Sequence, residues 1–244
     1  MRVAYLDLDG TLLGPGGSML TGADGRFSDA GVRALALLRA AAVPVVLVSG
    51  RSRARLEAVA GVIGADGVLP ELGALDAGYP TREGQTVHAA IAESGVPATL
   101  LAREPHLEPH PLAVAGREGS HVLRGRASAA AADLVEDLSA GTLRLADNGC
   151  IAPGVHVYHL LPAAASKAAS VTRDLARRGV DPAACLAVGD SGQDLDIARV
   201  VGTVAIVANG ARADPSVAER APWVTDGAYG AGVLEAVEGW LAGR

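Results

Sequence analysis

The sequence predicts an α/β protein in which a parallel sheet carries helices on both faces and a smaller α+β domain is inserted partway along the chain. Three observations point there. Short apolar runs of strand length alternate with longer runs of helical period at both ends of the chain. Between about residues 79 and 161 that alternation gives way to short segments punctuated by proline. Acidic, hydroxyl and glycine residues recur where the predicted core strands stop, and a sheet of this kind keeps its ligand crevice there.

Taken in order, residues 3–6 form a buried strand and residues 14–25, rich in Gly and Pro, a loop over its end. Ser28 is placed to cap a helix whose Val32, Leu35 and Leu38 recur at helical spacing, and 43–48 is the next strand. After Ser49, Gly50 and Arg51 comes a helix with Leu56, Val59 and Ile63 on one face, then a short strand at 67–69. The alternation resumes with a helix at 167–178, stopped by Gly179, a strand at 185–188, a helix at 194–201 and a strand at 203–207. A last helix holds Val233, Val237, Trp240 and Leu241 in register. The core is therefore assigned to 1–78 and 162–244, and the insert to 79–161. Prolines at 97, 105, 109, 111, 153 and 162 interrupt this stretch, whose predicted strands at 120–124, 143–145 and 155–160 flank one alanine-rich helix at 127–139.

Composition excludes several classes. With 244 residues and 50% hydrophobic content the chain can bury a full core, built from Ala, Val and Leu because only 3% is aromatic. Few aromatics and a net charge of -6 argue against nucleic-acid binding, which wants stacking platforms and a basic face. A phosphate-bearing partner is then a small molecule, held locally. No apolar run approaches the roughly 20 residues of a membrane span, and no signal-like segment opens the chain. Cys150 and Cys185 make no disulfide framework and read as small buried residues; a cytoplasmic location fits.

Four sites carry chemistry. Asp7 and Asp9, in Asp7-Leu8-Asp9-Gly10-Thr11, sit two apart at a strand exit, and on extended backbone two such carboxylates point the same way. One can attack phosphorus while the other handles the proton of the leaving or attacking oxygen. Gly10 admits close backbone approach to an anion, and Thr11 adds a hydroxyl. Ser49 and Gly50 offer a hydroxyl and a backbone N–H for phosphoryl oxygens, and Lys167 brings an ammonium to a helix N-terminus. In the turn of residues 189–194, Asp190 and Asp194 add two acids at another strand end, where a hard cation such as Mg²⁺ is the usual compensation for their repulsion.

Together, Asp7-Leu8-Asp9-Gly10-Thr11, Ser49, Lys167 and Gly189-Asp190 with Asp194 resemble, in order, the four signatures of the haloacid dehalogenase superfamily of phosphohydrolases. The resemblance implies a Rossmann-like core. Asp9 and Ser49 stand too close for a domain between them, whereas the stretch from Arg51 to Lys167 has room, which resembles a type II cap of the IIB form found in Cof-like, sucrose-phosphate, trehalose-phosphate and mannosylphosphoglycerate phosphatases. Asn209-Gly210 and Val224-Thr225-Asp226 resemble the tail of that group; Gln193 departs from its usual Asn, and Leu72 replaces the Asn of its Glu-Asn-Gly-Ala element.

The resemblance implies a Mg²⁺-dependent phosphomonoester hydrolase. Asp7 would be the nucleophile and Asp9 the acid and base, with Mg²⁺ on the Asp7 carboxylate, the Asp9 carbonyl and Asp190, supported by Asp194. Gly10, Ser49, Gly50 and Lys167 would bind the phosphoryl group. The expected substrate is a small phosphorylated metabolite, a sugar phosphate or a phosphoglycerate- or phosphoglycolate-like compound, acted on by a monomer or homodimer. A phosphomutase of the same fold and a non-catalytic phospholigand-binding regulator are the alternatives. Within the cap, Arg103, His106, His110, Arg117, His121, Arg124, Arg126, His156 and His159 are the candidates for contacting substrate.

Overall fold

A computed structural model describes residues 2–111 and 116–243. In chain order its strands and helices are β1 (Ala4–Leu6), α1 (Ala30–Ala40), β2 (Val45–Val48), α2 (Arg53–Ile63), β3 (Gly67–Leu69), α3 (Val87–Glu93), α4 (Val96–Arg103), β4 (Leu107–Pro109), β5 (His121–Gly125), α5 (Ala131–Leu138), β6 (Leu143–Ala152), β7 (Val155–Pro162), α6 (Lys167–Arg178), β8 (Leu186–Gly189), α7 (Gly192–Leu195), β9 (Thr203–Ile206), α8 (Ala208–Ala213), α9 (Pro215–Arg220) and α10 (Gly230–Leu241). No described helix is long and apolar enough to cross a membrane.

By packing, the chain divides into two units. The first takes the residues up to Ser49, Leu56–Leu69 and the residues from Val171 on; the second takes Gly50–Arg55 and Pro70–Ser170. In the first, five parallel strands lie in the order β3-β2-β1-β8-β9, with Ala4 opposite both Val45 and Leu186. The chain leaves β1 toward β3 on one side and returns through β8 toward β9 on the other, so the strand order reverses between β1 and β8. A doubly wound sheet opens its crevice at the carboxyl ends of such a pair.

Alternation along β1 shows how both faces are covered. Ala4 and Leu6 join a buried cluster with Ala34 and Leu38 of α1 and Val233, Val237 and Trp240 of α10. Tyr5, pointing the other way, gives its hydroxyl proton to Asp174 of α6 at 3.0 Å. Burial first, then the charge of Asp174 and this hydrogen bond, raise the phenol well above its ordinary range. Asp174 also receives Arg178 at 2.7 Å.

The second unit holds a four-stranded antiparallel sheet, β4-β5-β7-β6. One face is apolar: Leu107, Leu123, Leu143, Tyr158 and Leu160 pack on Ile91, Val96 and Leu100 of the helical layer and on Ala131 and Val135 of α5. The register puts Arg124, Val122, His159, Ala146 and Arg144 on the other face.

Several local expectations shift. The buried stripe of α1 is Ala30, Gly31, Ala34 and Leu38, while Val32 is exposed, because Gly31 lets the helix settle closely on Met19 and Leu12. Two helices, α3 and α4, occupy proline-containing sequence expected to be irregular; Pro97 sits in the first turn of α4, where its missing N–H has no intrahelical partner to lose. The helix expected at 127–139 spans only Ala131–Leu138, and the one at 194–201 is α7 followed by a 3₁₀ turn at Asp196–Arg199. Strand β6 runs far past Leu145 as a hairpin with β7 whose outer half is exposed. Cys150 lies on that outer half and is exposed, contrary to expectation, whereas Cys185 is buried.

Candidate active site

The first unit brings three carboxylates together at the point where its strand order reverses. Asp7 follows β1 and its backbone N–H still reaches the Val188 carbonyl of β8 at 2.9 Å, so the ladder carries Asp7 to the sheet's end. Asp190 follows β8, and Asp194 stands one turn on in α7. One oxygen from each of Asp7, Asp190 and Asp194 lies within 4.8 Å of the others. Asp7 is buried and accepts the Thr11 hydroxyl proton at 2.9 Å. Asp194, also buried, gathers the Ser191 hydroxyl at 2.6 Å and the Ser191 and Asp190 backbone N–H groups at 3.2 and 3.4 Å on one oxygen. It thus fixes the turn that presents Asp190.

Glycines make the convergence possible. A Cβ on Gly10 would stand 2.1 Å from a carboxylate oxygen of Asp190, and Gly10 has φ +83°. A Cβ on Gly189 would stand 2.1 Å from the Asp194 carboxyl carbon, and one on Gly210 2.0 Å from the Asp190 carbonyl. Asn209 ties the far side, donating to the Gly10 carbonyl at 2.7 Å and accepting from the Tyr229 N–H at 2.8 Å. Its place in the Asn209-Gly210 pair was visible in sequence, but its bond to residue 10 spans nearly the whole chain and was not.

Asp9 is not one of the three acids grouped here. Strand β1 ends at Leu6 and the chain turns at once, with Thr11 and Leu13 N–H groups both on the Leu8 carbonyl. The two-residue repeat of extended backbone therefore does not hold from 7 to 9, and Asp9 is exposed. Ser49, at the end of β2, is buried and donates its N–H to the Leu69 carbonyl at 3.0 Å.

The second unit contains Gly50 and Lys167. Lys167 is buried in the first turn of α6. Gly50 has Arg117 on its carbonyl at 2.6 Å, and a Cβ there would lie 3.2 Å from His159 Nε2. His159 is buried, and its Nδ1 has no hydrogen-bond partner among the described residues. Burial first, then the positive Arg117, Arg144 and Lys167, push its imidazole down to about 3.

Of the other cap candidates, Arg103, His106 and Arg126 are exposed. His156 pairs with Asp147 at 2.7 Å and Arg124 with Glu108. His121 stacks on His88 with ring centroids 3.8 Å apart, and burial pushes it to about 4. His110 is pushed below its ordinary value by burial and then by Arg124 and Arg117.

A depressed histidine has a stability consequence. Unfolded, the His159 imidazole takes up its proton near pH 6.5; folded, only near 3, so its contribution is complete above about 6.5 and lost as the pH falls. Between pH 7 and 5 that loss is about 2 kcal/mol for one such group. Urea midpoints at the two pH values should differ by correspondingly less in His159→Gln, and an unchanged difference would remove His159 as the source.

Comparison with known proteins decides the family. Residues 129–237 match the model of the haloacid dehalogenase-like hydrolases. A phosphoglycolate phosphatase of Methanothermobacter thermautotrophicus is 30% identical over 98% of this chain and 100% of its own length. The chain belongs to the haloacid dehalogenase-like hydrolases. It is a phosphatase of that superfamily, with a parallel core and a separate antiparallel cap sheet. A phosphoglycolate phosphatase of Archaeoglobus fulgidus is 29% identical over 97% of this chain and 96% of that protein. In fold, this haloacid dehalogenase-like hydrolase is similar to a Thermoplasma acidophilum protein (TM-score 0.69, 19% identity, 99% of this chain and 98% of that one). It is also similar to the sucrose-phosphatase of Synechocystis (TM-score 0.68, 16% identity, 98% of both chains).

Proposed function

We propose that this enzyme is a Mg²⁺-dependent phosphomonoester hydrolase acting through an aspartyl-phosphate on Asp7, and that its substrate is a small carboxylated phosphate ester of the phosphoglycolate kind. The convergence of Asp7, Asp190 and Asp194 at the strand-order reversal carries the reading. An all-oxygen donor set of this charge, cradled where Gly10 leaves no room for a Cβ, fits a hard divalent cation. Mg²⁺ would be held by the Asp7 and Asp190 carboxylates and the Asp9 carbonyl, with Asp194 supporting Asp190. When bound, it neutralises charge on the transferring phosphoryl group.

The chain's own residues then divide the work. An Asp7 oxygen attacks phosphorus and the ester P–O bond breaks, while the Asp9 carboxyl gives its proton to the leaving oxygen. Asp9 next takes a proton from the water that attacks the aspartyl-phosphate, releasing phosphate and restoring Asp7. Thr11 keeps the Asp7 carboxylate oriented. Ser49, Gly50, Gly10 and Lys167 bind the phosphoryl oxygens and their charge. Support for the substrate comes from the phosphoglycolate phosphatases that align over nearly the full chain.

The test is phosphate release from 2-phosphoglycolate, phosphoglycerate, sucrose phosphate and an aryl phosphate, each with Mg²⁺ and with excess chelator. We expect the highest kcat/KM on 2-phosphoglycolate and no turnover in chelator. Full activity without divalent metal, or preference for the sugar phosphate, contradicts the proposal.

A further inference from the structure

In the second unit the backbone that follows Ser49 is held by a network of charged side chains, with Arg117 and Glu71 buried and Arg53 and Glu118 partly exposed. Arg117, its side chain only 6% exposed, donates from Nη1 to the Gly50 carbonyl at 2.6 Å. The next carbonyl, that of Arg51, accepts the Glu71 N–H at 3.0 Å. Glu71, fully buried, lies 3.7 Å from Arg117 and also accepts the Glu118 and Gly119 N–H groups at 2.9 and 3.1 Å and the Ser120 hydroxyl at 2.7 Å. Arg53 closes the ring on Glu118 at 3.3 Å. Two left-handed residues, Glu71 (φ +51°) and Leu72 (φ +55°), shape the segment that delivers the carboxylate. Such a conformation costs about 1–2 kcal/mol per non-glycine residue, so the network holds it rather than relaxes it.

We infer that Arg117, anchored by Glu71, is a positioning residue that fixes the Gly50 backbone for phosphate and is not a reader of the substrate's leaving group. The inference rests on the proposed role of Gly50 as a phosphoryl donor. Glycine has the widest conformational freedom of any residue, and a phosphate-binding N–H that must be ordered on binding loses affinity for it. Holding the Gly50 carbonyl fixes the Gly50–Arg51 peptide plane and so restricts Gly50 ψ, the torsion that sets this plane against the plane carrying the Gly50 N–H. With the Arg51 carbonyl also held, two successive peptide planes after Ser49 are fixed before any ligand arrives. His159 Nε2 and Asn148 Nδ2 bound the remaining side, 3.2 and 3.4 Å from where a Gly50 Cβ would stand.

Because phosphate is common to all substrates, the effect must be uniform. In Arg117→Met, the inhibition constant for inorganic phosphate should rise about tenfold, the scale of one charge-assisted hydrogen bond. The KM for an aryl phosphate and for 2-phosphoglycolate should rise by the same factor, and Arg117→Lys, which keeps a donor and the charge, should recover part of the loss in all three. Glu71→Gln, which removes the charge that anchors Arg117 and one of the two acceptor oxygens, should act in the same direction. A loss confined to the carboxylated substrate would make Arg117 a specificity residue and overturn the inference. So would a lowered melting temperature with an unchanged phosphate inhibition constant, which is all a structural role requires. If Arg117→Met does not fold, Arg117→Lys decides by the same three constants. A wild-type protein that releases no phosphate ends the phosphatase reading itself; an active wild type with unaffected variants ends only this inference.

Discussion

Asp7→Asn should lower phosphate release by at least about 10³-fold, the scale on which removal of a catalytic group acts. The amide loses the attacking oxyanion but keeps an oxygen for the Thr11 hydroxyl, which bonds Asp7 at 2.9 Å, so the site should stay formed. Asp7 is buried at the end of the ladder between β1 and β8, and nothing in the strand pairing depends on its charge. Acid-quench trapping with labelled substrate should find phosphoprotein in the wild type and none in the variant. Retention of wild-type turnover by Asp7→Asn would falsify the assignment of the nucleophile.

Gly10→Ala should be nearly as damaging for a different reason. Its Cβ would meet an Asp190 carboxylate oxygen at 2.1 Å and the carboxyl carbon at 3.0 Å, so Asp190 must leave its position beside Asp7. Displacement of a ligand by about 1 Å costs on the order of 10²-fold in rate, and the Mg²⁺ concentration for half-maximal activity should rise with it. Backbone strain adds about 1–2 kcal/mol of lost stability at φ +83°. Gly16→Ala separates the two effects, since Gly16 has φ +72° with nothing within 4 Å of its would-be Cβ. That control should lose stability alone. Equal activity of Gly10→Ala and Gly16→Ala would show that the glycine at position 10 serves only the turn.

The helices in the cap show where local signals mislead. Prolines read as interruptions, yet one in a first helical turn is compatible with the helix it begins, and α4 starts at Val96 with Pro97 beside it. In α1 the apolar spacing of Val32, Leu35 and Leu38 marked part of the packed face, since Leu38 is buried and Leu35 packs on the core, but Val32 is exposed and the rest of the buried face is Ala30, Gly31 and Ala34, small residues that allow close packing. Periodicity counts apolar side chains; it does not register how close a backbone can come.

What the sequence determined by itself was the parallel α/β core, the inserted α+β region, and the strand-end positions of Asp7, Ser49 and Asp190. These follow from hydrophobic period, turn residues and the rule that a doubly wound sheet opens at its strand ends, all of which are written locally. Tertiary structure alone decided which acids meet. Asp7 joins Asp190 and Asp194 because β1 and β8 are neighbours in the sheet, while Asp9, two residues away in sequence, lies past the end of β1 and is exposed. It also decided that Glu71 and Arg117, distant in sequence from Gly50, hold its backbone in place. Contacts of that separation are set by the pairing and packing of whole elements, and no window of sequence encodes the distance between two side chains that only the finished fold brings together.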